Sequence, residues 1–470
     1  MKLKKLIVAG AFAALAMFAV EAGANTIDAD AARAAAKSFI NQRATTSKTF
    51  KAATNADLRL AHVEASSVEG NAYYVFNIQG GGWVIISGDD RAKQVLAYGD
   101  KGNIDMNDLP CNMESYLTLY KNQIEEMQSY KGEVVPMKAA KSVTPIAPIT
   151  KATWGQQQPM NTYCPYNGSA QTSVGCGPLA MAQIMYYWKY PEGSPAMSAY
   201  YVYYPGCGSV PALEATTFDY SLMLDTYTIY NPSTGGVSLG TYTEEQGNEV
   251  AKLCRYAGHA CQARYGNSGT TSTGAYSQDQ RDAFKFFGYN ENIKLIGIDP
   301  AYYCDNSNKY SEEDWKALIY SELAAGHPIP YHNLDPVDGH AWIIDGVDAD
   351  GKFHMNWGFY ERFNGWFEFG AFTIYPNGET WNFNGSGNEM VINCIPYEGY
   401  VIPGDEPQGL RGDVNNDSSV NVADVAALIN YLLTQDPSAI NLDNADCSQD
   451  SMVNVADVAA LINYLLTQTW

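Results

Sequence analysis

The stretch SVGCGPLAMAQIMYYW, residues 173–188, sets Cys176 between two glycines and follows it with Pro178. Packing cysteines sit inside apolar faces, whereas this one stands on a turn at the mouth of an apolar run of good helix formers. Proline suits the first turn of a helix, where its missing N–H costs nothing, so the spacing predicts a helix opening at Cys176. At a helix N-terminus the macrodipole favours a thiolate over a thiol. The flanking glycines leave room for a substrate backbone, and the Cys176 N–H can face a developing oxyanion. Those are the requirements of a nucleophile.

A cysteine nucleophile needs a base. His340 stands in DGHAWIIDGVDADGKFHMNWGF, just before the strand-like AWII. FHMNW offers a return strand, with residues 348–351 (DADG) as the hairpin turn. Across this hairpin Asn356 or Trp357 can come near His340: an amide acceptor would hold the imidazole tautomer, and an indole would shield the ion pair from water. His354, between Phe353 and Met355, reads as structural, and His332 is the alternative base. Upstream, ATWGQQQPMN supplies Gln156, Gln157 and Gln158, one of whose amides could complete an oxyanion hole with the Cys176 N–H.

A second chemistry lies in the tail. VNVADVAALINYLLTQ occurs at 420–435 and again, identical, at 453–468. Before each copy runs an oxygen-rich loop. Asp413, Asn415, Asp417, Asn421 and Asp424 occupy positions 1, 3, 5, 9 and 12 of the first, and Asp446, Ser448, Asp450, Asn454 and Asp457 those of the second. That ladder wraps hard oxygen donors around one calcium ion per loop, with the position-7 carbonyl as a further ligand. Ser418 and Ser451 replace the usual glycine at position 6, and position 12 is Asp rather than Glu. Each loop leads into ADVAALINYLL, an amphipathic helix. Residues 404–470 hold ten acids against Arg411 alone, so the loops repel themselves without metal.

The elements that must position these groups fall into segments. At 470 residues, two or three domains are expected; 46% hydrophobic and 13% aromatic residues support globular cores. The formal charge of −22 argues against a nucleic-acid partner or an anionic membrane surface. Lys2, Lys4 and Lys5, the apolar run 6–20 and Ala22-Gly23-Ala24 read as an export signal over residues 1–24. No later run is long enough to span a membrane, so the mature chain is expected to be exported, without a membrane span. The nine cysteines are scattered, with no compact disulfide framework and no CxxC pair. KGEVVPMKAAKSVTPIAPITKA (131–152) and GYVIPGDEPQGL (399–410) look like linkers. Between signal and first linker, YYVFNIQGGGWVIIS reads as two strands around a glycine turn.

WGQQQPMN, VGC…AMAQIMYYW and GHAWIIDGVD…FHMNWG, in that order, resemble the streptopain-like cysteine peptidases, and YYVFN…GGWVIISGDDRAKQVLAYGDKG resembles their inhibitory propeptide. The resemblance spans about residues 27–398. It implies an α+β, two-lobed papain-like catalytic domain (146–398) preceded by a small α+β propeptide domain (25–145). It further implies Cys176 as nucleophile, His340 as general base, Gln156 as oxyanion donor, since the family's glutamine directly follows its WG pair, and Asn356 and Trp357 as supports of the histidine. Gly177-Pro178-Leu179 and WGFYERFNGWF depart from the family's usual residues, the latter from Trp-Gly-Trp-Gly-Gly. Residues 411–470 resemble a dockerin, a small all-α calcium-loop domain, which implies a cohesin-like partner. Positions 10 and 11 of its loops, often polar in dockerins, are Val-Ala here.

The expected protein is thus a secreted, periplasmic or surface-associated cysteine endopeptidase made as a zymogen, acting on proteins or peptides. It is expected to use structural calcium in its tail and no cofactor for catalysis. A papain-like acyltransferase or amidase would use the same Cys-His pair, and a non-catalytic calcium-dependent scaffold component is the alternative of another class. No HExxH helix supports metal-dependent hydrolysis.

Overall fold

The computed structural model of the chain describes residues 26–46, 53–130, 143–231, 236–266, 270–334, 339–370, 388–397, 399–403 and 411–467, apart from positions 416, 418, 449 and 451. The expected signal, residues 131–142, most of the second linker, and Ser418 and Ser451 lie outside the described residues. The fold is α+β.

Its spine is a ten-stranded sheet shared by two segments of the chain. The N-terminal segment supplies β1 (Leu58–Ala65), β2 (Asn71–Ile78), β3 (Trp83–Ser87) and β4 (Val95–Gly99). The central segment supplies β5 (Lys294–Gly297), β6 (Ile329–Leu334), β7 (Gly339–Val347), β8 (Phe353–Asn356), β9 (Gly365–Phe367) and β10 (Asn388–Ile392). The order is β1-β2-β3-β4-β9-β8-β7-β6-β10-β5. β4 joins β9 antiparallel, Tyr98 opposite Trp366 and Ala97 opposite Phe367. Every residue of β3 and β4 is buried, as their unbroken apolar runs require.

Helices cover both faces. In α1 (Ala29–Thr46), Ala32, Ala36 and Ile40 recur at helical spacing and are fully buried against β2 and β3. In α2 (Cys111–Ser129), Met113, Tyr116, Leu117, Tyr120, Ile124 and Met127 form the stripe that closes the opposite face. α3 (Cys176–Trp188) is apolar nearly all round and is the buried centre of the main core, packed by α4 (Glu244–Ala260) and α5 (Ser277–Phe286) and laid across β7. α6 (Glu312–Ala324) covers the other face of β6 and β7. The tail contains α7 (Val422–Thr434), α8 (Leu442–Ala445) and α9 (Val455–Thr467) around a core of only Val414, Leu428, Ala445, Cys447 and Leu461.

One expectation needs correcting. Residues 131–152 read as a loose, proline-punctuated linker, yet 143–150 lie along β7. Ile146 and Val347 exchange backbone hydrogen bonds of 2.8 and 2.9 Å, and Ile149 N–H donates to Asp345 O at 2.9 Å. A bulge between Ile344 and Gly346 frees Asp345 from the β8 ladder, and Gly346 has no Cβ to collide with Ile146 O, 3.0 Å from where one would stand. All nine cysteines are free thiols, five of them buried, so packing rather than cross-linking holds the fold.

Candidate functional site

α3 opens at Cys176 because Gly175 turns the chain with φ 93°, where a Cβ would come within 2.9 Å of Thr273 O. The amide N–H groups of Ala341, Gly177 and Cys176 itself favour the charged form of the Cys176 sulfur. Ala341 directly follows His340, so the helix end and the start of β7 meet at the thiol. Burial pushes that thiol above its ordinary range, and the three amides offset only part of the rise. At the partly accessible Cys176, desolvation thus opposes the thiolate that a helix N-terminus favours.

His340, half-buried, lies opposite Asn333 at the start of β7. Gln156 approaches Cys176 through its backbone: its carbonyl accepts from Val174 N–H at 3.0 Å, two residues before Cys176. The other two glutamines have occupied side chains. Gln157 Oε1 accepts from Asn161 Nδ2 (3.2 Å), while Gln158 bonds Thr162 (2.8 Å) and Gln171 (3.2 Å).

The hairpin forms as its DADG turn predicts, Gly351 N–H closing on Asp348 O at 3.0 Å. Its supporting residues, however, do not sit where the sequence reading put them. Asn356 pairs with Ile343, three residues along from His340, and its amide donates to Ala152 O (2.9 Å) and Gln183 Oε1 (3.4 Å) while its oxygen accepts from Gly358 (3.1 Å). It fastens the hairpin to α3 instead of accepting from the imidazole. Trp357, one residue on, belongs to the opposite core, its ring among Trp342, Phe367 and Tyr116 and its Nε1 on Phe363 O. There it does not shield a thiolate–imidazolium pair.

His332, the alternative base, is closed off from substrate. It is 3% exposed, and burial pushes its imidazole down to about 4. Its Nε2 lies 2.7 Å from Gln280 Oε1, and Gln280 Nε2 donates to Gly177 O at 2.6 Å. The pair carries the peptide after the nucleophile. His354, as read, is structural: Nδ1 lies 2.5 Å from the buried Asp345 carboxylate, and its ring packs on Trp366.

The N-terminal segment reaches into this site. Asn112, buried in the first turn of α2, donates through Nδ2 to Ala341 O (3.2 Å) and Trp357 O (3.0 Å). Tyr116 and Tyr120 hydroxyls donate to Glu368 O at 2.8 and 2.6 Å. The Glu368 carboxylate is buried between Lys93 of the N-terminal segment and Lys352 of the central one. Burial alone would raise its pKa, but the ammonium groups of Lys93, Lys352 and Lys316 outweigh it and pull it to about 2.

In the tail, the position-12 carboxylates Asp424 and Asp457 are fully buried, each accepting from two loop amides: Asn415 and Asn421 in one, Ser448 and Asn454 in the other. Asp413 and Asp446 accept from Asp417 N–H and Asp450 N–H, curling both loops alike. Asn415 Oδ1 also accepts from Asp417 N–H. Ser448 Oγ is buried with no hydrogen-bond partner among the described residues, an orphan oxygen at position 3 of the second loop. Asn421 and Asn454 differ from expectation. Their side-chain oxygens accept from Ala423 and Ala456 N–H (2.8 Å each), capping α7 and α9. Among the described residues no three His, Cys, Asp or Glu side chains converge as a metal site on their own, so a calcium ion here would draw on Asn, Ser and backbone oxygens as well.

Residues 154–367 match the Peptidase C10 family, residues 24–124 the Spi protease inhibitor, and residues 411–466 the dockerin type I domain. Streptopain of Streptococcus pyogenes is 27% identical over 361 residues, covering 71% of this chain and 84% of its own. The chain is a streptopain-like cysteine peptidase. It is made with the propeptide in place and carries a dockerin tail. Thiol protease/hemagglutinin PrtT of Porphyromonas gingivalis is 28% identical over 346 residues, 70% of this chain and 37% of that longer protein. The fold is shared with prointerpain A of Prevotella intermedia, at a TM-score of 0.55 and 24% identity over 72% of this chain and 98% of that one.

Sequence reasoning missed Asn112, Gln280 and the working partners of His332. Asn112 is one polar residue in an ordinary amphipathic helix, and nothing local distinguishes it. Gln280 lies 104 residues beyond Cys176. Neither has a signal that a motif could carry.

Proposed function

We propose that this peptidase is a secreted endopeptidase using Cys176, His340 and Gln156, and that residues 25 to about 142 are the inhibitory propeptide of a catalytic domain running to about residue 398. One observation carries the reading: α3, which opens at Cys176, lies across β7, which opens at Gly339 beside His340. Once the propeptide leaves, His340 takes the thiol proton and the thiolate attacks the scissile carbonyl. The Cys176 N–H and the Gln156 amide receive the oxyanion, and His340 protonates the leaving amine. Water, deprotonated by the same imidazole, then cleaves the thioester. Asn356 and Trp357 support the base indirectly, by fastening β8 to α3 and to the opposite core.

Asn112 is the propeptide's grip on the site, its bonds to Ala341 O and Trp357 O fixing the residue after His340 and the turn after β8. In the tail, the residues fit a calcium ion in each loop: Asp413, Asn415, Asp417 and Asp424 in one, Asp446, Ser448, Asp450 and Asp457 in the other. Bound calcium would supply the charge that these acids lack and the folding energy that a five-residue core cannot. The two helices expose the same apolar residues to the same degree, Val422 at 75% and Val455 at 74%, Leu433 and Leu466 at 80% each. A cohesin-like partner would thus find two equivalent faces. No helix of the described residues is long and apolar enough to cross a membrane, which is compatible with a surface-associated protein held by its tail.

The test is incubation of the purified chain with casein and a thiol-directed epoxide, followed by mass mapping. Label on Cys176 with loss of proteolysis is expected. Label elsewhere, or casein cleavage by Cys176→Ala, would sink the assignment.

A further inference from the structure

The loop after Trp357 is where this chain departs from its family, and it touches the oxyanion segment. Tyr360 lays its ring over Gly155: a Cβ on that glycine would stand 2.3 Å from the ring carbons. Tyr360 N–H lies 3.4 Å from Trp154 O, and its hydroxyl accepts from Gln157 N–H at 3.0 Å. The peptide unit between Gln156 and Gln157 is therefore gripped from both sides. Its carbonyl bonds Val174 N–H, on the strand of chain leading to Cys176, and its N–H bonds Tyr360. Holding that plane sets the direction in which the Gln156 side chain leaves the backbone. That side chain has no hydrogen bond of its own among the described residues, so its direction rests on the backbone.

The loop is built for this at a conformational cost. Tyr360, Glu361 and Phe363 have φ of 59°, 65° and 65°, a left-handed region that side chains other than glycine rarely adopt. Such backbone persists only where contacts over-determine it. Here Trp357 Nε1 and N–H bond Phe363 O and Asn364 Oδ1 at 3.1 Å each, Phe363 is buried, and Gly358 lies so close to Leu179 of α3 that a Cβ would meet it at 2.9 Å. The loop spans from the nucleophile's helix to the oxyanion segment.

We propose that Tyr360 is a positioning residue for peptide hydrolysis: through its hydroxyl and ring it aims Gln156 at the oxyanion. The inference rests on the reading of Gln156 as oxyanion donor. It explains why this chain needs Gly155 and what the departure at 358–364 accomplishes.

The test compares three readouts on full-length Tyr360→Phe, Gly155→Ala, Gln156→Ala and Gln156→Ala/Tyr360→Phe chains after maturation. These are peptide turnover, affinity for a peptide aldehyde, whose thiol adduct carries the oxyanion, and the rate of Cys176 alkylation by iodoacetamide, which forms none. Tyr360→Phe keeps the ring and loses only the hydroxyl. It should lower kcat and aldehyde affinity by about tenfold, the scale of a misaimed oxyanion donor, with KM and alkylation within about twofold. Gly155→Ala, which displaces the ring, should do the same or more. In the Gln156→Ala background, Tyr360→Phe should have no further effect. If Gln156→Ala is impaired while Tyr360→Phe is neutral, or if the two losses multiply, the proposal is overturned and the oxyanion reading stands. If Gln156→Ala retains full kcat, the oxyanion reading itself fails. A parallel fall in alkylation rate would mean that Tyr360 only supports the fold, and overturns the proposal too.

Discussion

The catalytic region and the dockerin tail build their sites in opposite ways. In the tail, each loop draws its oxygens from twelve consecutive residues, and the second loop repeats the first at an offset of 33. In the catalytic region, Cys176 and His340 lie 164 residues apart, on two elements, α3 and β7, that only the tertiary fold packs together. The consequence is a difference in what each site depends on. The tail has little apolar core, so on the proposed reading a bound ion would supply folding energy. The catalytic region has a large core on either side of a sheet, so apolar burial rather than a ligand holds it together.

The largest effects should separate the two regions completely. Cys176→Ala is expected to abolish casein cleavage, and His340→Ala to lower turnover by about a thousandfold or more, as loss of nucleophile activation does; neither should change calcium binding by the tail. Conversely, excess chelator should unfold residues 411–467, read as loss of their helical circular dichroism in the isolated tail, while casein cleavage by the matured enzyme is kept. A tail equally helical in chelator, or an enzyme silenced by it, would break the contrast.

Smaller effects sharpen it. His332→Ala removes the group that holds Gln280 under Gly177 and leaves a buried amide short of a partner, so denaturant melts should show a loss of about 2–3 kcal/mol. If His332→Ala were instead as silent as His340→Ala at unchanged stability, the base assignment would be reversed. Asn112→Ala gives up one bond to the base's strand and one to the residue after β8, worth about 1 kcal/mol each, and the full-length chain should gain activity about tenfold faster. Unchanged maturation would show that Asn112 merely packs. Edman sequencing of the matured enzyme should place its start at or before residue 143, since the strap beyond is hydrogen-bonded to β7.

The smallest effect is one of pH. Glu368 is held at about 2 against an ordinary value of 4.5. Its stabilisation is fully present above about 4.5 and fades as pH falls toward 2, because the unfolded carboxyl takes up the proton first. The melting-temperature gap between the wild-type chain and Glu368→Gln should therefore be flat from pH 8 to 5 and narrow below 4. A gap that closes between pH 8 and 6 would mean another group controls the interface.

Much of this was decided by short stretches of sequence. The Gly-Cys-Gly-Pro turn prescribes a helix beginning at its cysteine, because glycine alone tolerates the preceding φ and proline forgoes only an orphan donor. DADG closes the hairpin, and the paired ladders of acids draw the loops of the tail. Each instruction is local, carried by backbone preference or by charges a few residues apart.

What the tertiary structure alone decided is which long-range neighbours those pieces receive. Asn356 and Trp357 are adjacent, yet strand alternation and the register of β8 send one to α3 and the other to the opposite core. His332 and His340 share one antiparallel pair, and only packing tells them apart: α5 seals the first against Gln280. Asn112 and Tyr360 act from segments 64 residues before and 184 after Cys176. Side-chain type is written in the sequence, but the face on which it emerges depends on register and on what is packed against it, and no contiguous stretch contains both.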